Sequence, residues 1–260
     1  MSLIHACKVG DLDTTKRLVL NGTDITFENN RPIQWACNHG RLEVAQWIWS
    51  LKSDTVHVDI TARDNLAIRW ACENGHLDVA KWIWSLKSDE VRVDITALNN
   101  FAIRWACHLD AAQWIWSLRK QEIAIDIAAD NNFAIRWACK HGRLAVAQWI
   151  WSLKSETVPV DVTAENNLAI RWACQYGHLE VAQWIWSLKS ETVPVDVTAE
   201  NNCAIRCVCR NNKHLDVLAW MLPLFPEETI MIALATNYSE QVLDVIRMYV
   251  KCKRTKSARR

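Results

Sequence analysis

The stretch that decides the fold is Asn65 to Leu86, N-L-A-I-R-W-A-C-E-N-G-H-L-D-V-A-K-W-I-W-S-L, because the rest of the chain repeats it. The unit returns nearly unchanged over 132–153 and 167–188, and with losses over 32–51 and 100–118. One Cys per unit sets the period, which is 35 residues except for one step of 32, at Cys37, Cys72, Cys107, Cys139, Cys174 and Cys209. A fixed period of this length is typical of proteins built from stacked supersecondary units.

Each unit predicts a pair of helices. Asn65 precedes an apolar run and is interpreted as the N-cap of a first helix over 66–72. Gly75 can supply the positive φ that ends this helix, and a second helix runs from about residue 76 to Leu86. The second helix is apolar over most of its circumference, so it needs neighbours on both sides, which a stack of units provides.

A short extended segment follows each helix pair. Val91, Val93 and Ile95 alternate with polar residues, which is the period of extended chain. Later copies carry Pro159 and Pro194 in this segment. Because proline removes a ladder donor, the segment is predicted to be an edge or a single extended arm.

The order of helix, Gly-His-Leu turn, helix and D-[IV]-T-A finger resembles the ankyrin repeat. The family's T-P-L-H-x-A box corresponds to residues 66–71, its G-H-L-E-V-V pattern to 75–80 and more closely to 177–182, and its D-V-N-A finger to 94–97. Thr and Pro are absent from the box, and Arg69 stands where the family has His. The resemblance covers about residues 1–225. It implies an all-α, ankyrin-like solenoid of about eight helix-turn-helix repeats with short extended fingers.

The Trp-rich variant of the motif, R-W-A-C-x-x-G-H-L-x-V-A-x-W, is similar to the ankyrin-type proteins that giant DNA viruses encode in many copies. This resemblance implies a virus-encoded interaction scaffold that acts on a host or viral protein. If the chain is virus-encoded, the compartment in which it acts is expected to be the host cytoplasm.

Three regions are expected from the course of the repeat. Residues 1–30 form an N-terminal capping repeat, since this unit has no Trp and is more polar than the others. Residues 31–225 hold about six repeats, of which the unit at 100–132 is shortened by three residues in its inter-helix turn. This loss predicts either a local kink or a shortened first helix. Residues 226–260 form a C-terminal helix-pair cap and a basic tail.

Tryptophan dominates the aromatic residues, with 16 Trp against 3 Tyr and 4 Phe. All of them fall at three recurring positions, such as Trp70, Trp82 and Trp84. Recurrence at helical spacing favours packing in the core, where each Trp buries a large area. The alternative is a row of stacking platforms for bases or sugars.

The six cysteines at the repeat position are predicted to be small buried hydrophobes in a reducing compartment. Equivalent residues of stacked units lie ~8–10 Å apart, the distance between packed helices, whereas disulfide-bonded Cα pairs seldom exceed about 7 Å. Cys203, Cys207, Cys209 and His214 superficially resemble a zinc site, but the cysteines occupy core positions of the repeat and their C-x-C spacing does not fit a zinc finger. No metal and no cofactor are therefore expected.

Charge and hydropathy exclude several classes of partner. The net charge is +1, but residues 251–260 hold six cations and no acid, so residues 1–250 carry 24 basic against 29 acidic side chains. With more acidic than basic side chains, residues 1–250 are not expected to bind nucleic acid. The chain lacks a membrane-spanning run and a signal-peptide core, so we expect an intracellular monomer, and the basic tail leaves the nucleus open.

Recurring charges suggest internal pairing. One Arg and one Asp recur per unit, ten residues apart, at Arg69, Arg104, Arg136, Arg171 and Arg206, and at Asp59, Asp94, Asp126, Asp161 and Asp196. The matched recurrence favours ion pairs between them over a basic stripe for an acidic partner.

No nucleotide-binding, zincin or nucleophile-elbow motif occurs, so a non-enzymatic protein-binding scaffold without a small-molecule substrate is expected. In the family, the residues before the Gly turn and those in the finger line the concave face, where a protein partner is expected to bind. The turn candidates are Asn38, His39, Glu73, Asn74, Lys140, His141, Gln175 and Tyr176. The finger candidates are Arg63, Leu98, Asp130, Glu165 and Glu200.

These positions change charge and size between near-identical frameworks, so they are predicted to face solvent; neutral variation of an unused surface is the alternative. A second hypothesis for function is an adaptor for ubiquitin ligation, since Met221-Leu222-Pro223 is faintly like the start of an F-box.

Overall fold

The computed structural model describes residues 2–236 and 238–257. Across these residues it contains sixteen α-helices and no β-strand, which confirms the predicted all-α fold. The chain forms two compact units, 1–130 and 131–260, and the ninth helix starts at the end of the first unit. Residues 258–260 of the basic tail lie outside the described residues.

The first unit holds the helices α1 Leu3–Val9, α2 Leu12–Leu20, α3 Phe27–Asn38, α4 Leu42–Ser50, α5 Ala62–Glu73, α6 Leu77–Ser85, α7 Ala97–Trp105 and α8 Leu109–Ser117, then a 3₁₀ turn Leu118–Gln121. The second unit holds α9 Ala129–Lys140, α10 Leu144–Ser152, α11 Ala164–Gln175, α12 Leu179–Ser187, α13 Ala199–Asn211, α14 Leu215–Met221, α15 Glu227–Ala235 and α16 Glu240–Ser257, with a 3₁₀ turn Leu222–Leu224. We call α3, α5, α7, α9, α11 and α13 the first helices, and α4, α6, α8, α10, α12 and α14 the second helices.

Every first helix contains three consecutive left-handed residues near its start. In α5 these are Arg63, Asp64 and Asn65, with φ of 57°, 55° and 60°. The second and third of the three are Asn or Asp in every unit, the residues that best tolerate this conformation after Gly. The regular helix therefore begins only at the residue after the third one.

The third left-handed residue connects each unit to the following one. Asn65 Oδ1 accepts a hydrogen bond of 2.9 Å from the backbone N–H of Asp94, so the prediction that Asn65 is a helix N-cap is wrong. The same bond recurs at Asn30 with Asp59, Asn100 with Asp126, Asn132 with Asp161, and Asn167 with Asp196, at 2.8–3.0 Å. The Asn side chain is used over long range because it satisfies an N–H of the extended segment that has no ladder partner.

The recurring Arg and Asp do not pair as predicted. Arg69 donates from Nε to the Asp64 carbonyl at 2.8 Å and from Nη2 to the Arg63 carbonyl at 2.9 Å. Asp59, the predicted partner of Arg69, instead accepts at Oδ1 from the backbone N–H and the hydroxyl of Thr61, at 2.8 and 2.7 Å. The Arg role is structural, as predicted, but the guanidinium binds the carbonyl groups that the left-handed turn exposes.

The turn between the two helices is closed by a side chain of the next unit. Gly142 has a φ of 68°, and a Cβ at this position would lie 2.5 Å from Nδ1 of His178. His178 Nε2 hydrogen-bonds the Lys140 carbonyl at 2.9 Å. At the turn between α1 and α2, Arg41 takes the place that His178 has at the later turn, and it donates from Nε to the Lys8 carbonyl at 2.9 Å. The predicted positive φ of the turn glycine is confirmed.

The core consists of aliphatic residues and cysteine. Ile68 and Ile83 of one helix pair, and Ile170 and Ile185 of another, are 0–1% exposed, and Cys72 is completely buried. None of the 16 Trp is fully buried, so the prediction that Trp fills core positions is only half right. The rings lie partly at the surface, and the second-helix rings at Trp49, Trp84, Trp116, Trp151 and Trp186 each carry a Lys or Arg ammonium or guanidinium 4.1–4.9 Å from the centroid.

The shortened unit has a shortened first helix. α7 ends at Trp105, after 9 residues where α5 has 12, and Ala106 has extended geometry. Cys107 is only half-buried, unlike its equivalents Cys72 and Cys139. Of the two alternatives that the sequence left open, the structure adopts the truncated helix because the three missing residues include the Gly needed for the left-handed turn.

The extended segments and the C-terminal helices complete the two units. Val93 and Ile95 are buried while Arg92 and Asp94 are exposed, which confirms the predicted alternation. Met221 and Leu222 are fully buried at the end of α14. Within the described ranges, no helix has both the length and the apolar character needed to span a bilayer.

Candidate partner-binding surface

The predicted candidates occupy the two ends of the first helices. The turn candidates lie at or just beyond the C-terminal ends of α3, α5, α9 and α11. Each finger candidate is the first left-handed residue of α5, α7, α9, α11 or α13. None of the thirteen is buried, so all of them are accessible to a partner. Ten residues separate the two rows within a repeat, and the first-helix Trp lies between them in sequence, so we call the rows the turn strip and the finger strip.

The turn strip of the second unit contains a cation held by aromatic rings. The Lys140 ammonium lies 4.8 Å from the Trp137 centroid, 5.2 Å from Trp172 and 5.5 Å from Tyr176. We call these three rings the aromatic pedestal. His141 packs on Trp137 with ring centroids 4.1 Å apart. The pedestal thus joins three predicted candidates to two Trp residues from neighbouring first helices.

The first unit repeats this arrangement on a smaller scale. Lys8, at the position equivalent to Lys140, lies 3.7 Å from the centroid of Trp35, the ring of the next unit. Trp35 is in turn 5.3 Å from Trp70 and 5.3 Å from the ring of the candidate His39. A lysine after the repeat cysteine therefore meets a Trp ring in both compact units.

The finger strip is ordered by bonds between neighbouring units. Arg63 donates to the Glu28 carbonyl at 3.0 Å, and Asp130 forms an ion pair of 2.6 Å with Arg104. Asn131 donates to Glu165 and Asn166 donates to Glu200, both at 2.6 Å. Leu98 differs from the other finger candidates because its side chain is apolar, and it is 51% exposed.

Burial and charge shift the titration of the turn strip. Burial lowers the pKa of His141, and the positive charges of Lys140, Arg143 and His178 lower it further. Burial raises the pKa of the Glu73 carboxyl, opposed by the charge of Arg69. The turn strip of the second unit is therefore locally cationic, with Lys140 and Arg143 as its permanent charges.

The sequence interpretation missed the Trp residues of the first helices as part of this surface. Their recurrence at helical spacing predicts core packing and hides this second role. The available signal was the amphipathic character of Trp, which packs one face and leaves another exposed. Lys8 was also missed, because the capping unit was considered only as an end of the stack.

The cysteines include one close pair. Cys203 Sγ lies 3.7 Å from Cys207 Sγ on α13, and both side chains are half-buried. Burial raises the pKa of the Cys203 thiol, but hydrogen bonds from Arg171 and Cys207 outweigh this effect and lower the pKa overall. Among the described residues, no group of three or more His, Cys, Asp or Glu side chains is placed to hold a metal ion.

Comparison with known proteins bears on the first part of the chain. Residues 3–99 match a family model described as ankyrin repeats, in 3 copies. A solved structure of an ankyrin repeat family protein from Legionella pneumophila is similar, with 22% sequence identity, a TM-score of 0.40, and alignment over 92% of this chain and 71% of that chain. No curated protein matches the sequence. Residues 3–99 thus contain ankyrin repeats, and the described residues of the whole chain form helices without a β-strand.

Proposed function

We propose that the chain is a non-enzymatic protein–protein interaction scaffold that binds its partner through the turn and finger strips of the first helices. Ankyrin repeats suggest such a scaffold, since stacked repeats present extended binding surfaces. On this proposal, the strips face the concave side of a monomeric solenoid, and the partner is a host or viral protein.

One observation carries the proposal. At the position after the repeat cysteine, the backbone carbonyl has a structural role, since those of Lys8 and Lys140 accept the bond from the next unit's turn residue. The side chain at this position takes no part in that hydrogen bond. It changes from Lys to Asn, Glu and Gln along the chain, at Lys8, Asn38, Glu73 and Gln175. A framework that is fixed through its backbone while the exposed side chains vary is suited to recognition of a particular partner.

Affinity capture from cell lysate, followed by mass spectrometry, tests the proposal. A protein enriched near stoichiometry over an unrelated helical-repeat bait is the expected result. Enrichment no greater than with that bait, from every lysate tried, would contradict it. The resemblance of the Trp-rich motif to viral proteins makes infected host cells the first lysate to use.

The ubiquitin-adaptor alternative has less support. Met221 and Leu222 are fully buried, so this part of the F-box-like stretch is not accessible to a ligase subunit. Capture with a chain that lacks residues 222–260 separates the two hypotheses. Retention of the partner favours the scaffold, whereas loss of ligase subunits alone favours the adaptor.

We expect Tyr176→Ala to weaken binding of a captured partner by more than about 1 kcal/mol, because exposed Tyr residues are enriched among binding hot spots. Tyr176 is 41% exposed in the turn strip. Gln183→Ala, on the exposed side of the second helix α12, is the matched control and should have no effect. Calorimetric titration checks both, and equal losses in the two variants would argue against the turn strip.

A further inference from the structure

We propose that Lys140, on its aromatic pedestal, is the docking point for a carboxylate of the partner, so that the segment that binds the second unit is acidic. This inference rests on the proposed function and specifies the chemistry of the partner. It concerns the residues Lys140, Trp137, Trp172 and Tyr176 of α9 and α11 and the adjoining turn.

The pedestal fixes the ammonium in one place. Three rings from two helices lie within 4.8–5.5 Å of Lys140 Nζ. The lysines that follow the second helices are different, since each is exposed and lies over a single Trp ring three residues earlier in the chain, at Lys52, Lys87, Lys154 and Lys189. Lys140 is half-buried, so it has lost more side-chain freedom before any partner arrives, and binding to it costs less entropy.

The Lys140 ammonium can still donate hydrogen bonds to a partner. Within the described ranges no carboxylate lies in ion-pair distance of Lys140, whereas Lys253, for comparison, pairs with Glu227 at 2.9 Å. Aromatic rings stabilise a cation through their faces but accept no strong hydrogen bond from its N–H groups. A carboxylate from a partner would supply that missing acceptor, in a charge-assisted bond.

The surrounding charges select an anion over a cation. Lys140 and Arg143 are the permanent cations at this turn, and the charge of each lowers the pKa of the neighbouring His141. A basic segment would meet this cationic cluster and be repelled, whereas an acidic segment is attracted to it. Tyr176, with a hydroxyl that can donate, borders the same point.

The first unit offers an independent instance of the same contact. The Lys8 ammonium lies 3.7 Å from the Trp35 centroid, and the Arg31 guanidinium lies 5.9 Å from it. Two cations thus share one half-buried ring in that unit. Basic groups mounted on first-helix Trp rings are therefore a recurring feature of the chain.

Fluorescence anisotropy with two capped, dye-labelled peptides tests the inference on the full chain. The probes are tetraglutamate and tetralysine at low salt, where surface charges are least screened. We expect the wild type to bind tetraglutamate in preference to tetralysine. Lys140→Met keeps the length and apolar contacts of the side chain, and should weaken tetraglutamate binding at least about tenfold, while Lys140→Arg should retain it.

Lys189→Met is the matched control, because it removes an equal charge from a single-ring pair, and it should change binding less than about twofold. The inference is overturned by no tetraglutamate binding to the wild type, by tetralysine binding as tightly, or by equal losses in Lys140→Met and Lys189→Met. Thermal unfolding by circular dichroism verifies that each variant is folded.

If a captured partner binds Lys140→Met as well as wild type, this inference fails while the proposed function stands. If no partner is captured, the proposed function fails whatever the peptides show.

Discussion

Replacing Asn65 with Ala is expected to lower the free energy of unfolding by about 2–3 kcal/mol, from two separable causes. Ala must adopt a φ of 60°, which costs ~1–2 kcal/mol in a residue that carries a Cβ. The Asp94 N–H also loses the Oδ1 acceptor at 2.9 Å, and a hydrogen bond of this kind contributes ~1 kcal/mol. Urea unfolding followed by circular dichroism measures the loss.

Two further substitutions at the same position separate these causes. Asn65→Gly accepts the positive φ and should lose only the hydrogen bond, about 1 kcal/mol. Asn65→Asp keeps an acceptor oxygen and should cost least of the three. Asn74→Ala, at an exposed site after α5, should stay within about 0.5 kcal/mol. If Ala and Gly at position 65 cost the same small amount, the role of Asn65 in joining the units is wrong.

Gly142→Ala is expected to cost about 2–4 kcal/mol, because this glycine is both left-handed and covered by the next unit. The added Cβ would lie 2.5 Å from His178 Nδ1, at a φ of 68°. Relieving this contact requires the imidazole to move, which breaks its 2.9 Å bond to the Lys140 carbonyl. The same unfolding measurement reports the loss.

The chain contains a matched control for this prediction. Gly22 has a φ of 87°, and a Cβ added there would meet no atom within 4 Å, so Gly22→Ala isolates the backbone strain, ~1–2 kcal/mol. The double variant Gly142→Ala with His178→Ala removes the ring that the methyl group would strike. Its total cost should be less than the sum of the two single costs. Equal losses for Gly22→Ala and Gly142→Ala would show that His178 does not pack as described.

The sequence predicted the parts of the fold that depend on local rules. The period and the helix pairs follow from the spacing of the apolar residues. The left-handed turn follows from the tolerance of glycine for positive φ, which Gly75 and Gly177 adopt. Asn65 was misinterpreted because an Asn before an apolar run fits the rule for a helix N-cap, although its side chain instead accepts a hydrogen bond from the Asp94 N–H. The Asn-Asn or Asp-Asn pair in each unit, which tolerates successive left-handed residues, was the signal for the alternative.

Pairing partners were harder to predict than roles. Arg69 and Asp59 each recur once per unit, and recurrence alone cannot tell an ion pair from two local bonds. The nearby carbonyl groups of the left-handed turn prevailed because they lie within the same unit as the guanidinium, whereas the predicted Asp partner already serves the threonine two residues later.

The candidate surface was predicted in outline and not in detail. Variation between near-identical units indicates which side chains face solvent, and Tyr176 and Lys140 are accordingly not buried. The contact of Lys140 with Trp172 depends on how one unit lies against the next, and no pattern within a single unit encodes that register. The aromatic pedestal therefore needed the structure.

Hydrogen exchange of the chain with and without a captured partner tests the central claim most directly, since it locates the bound surface without any substitution. Binding through the turn strip should slow exchange of the amides at 136–142 and 171–177, while those within α10 and α12 stay unchanged. Slowing confined to α10 and α12, with no change at 136–142 and 171–177, would contradict the claim and place the partner on the second helices.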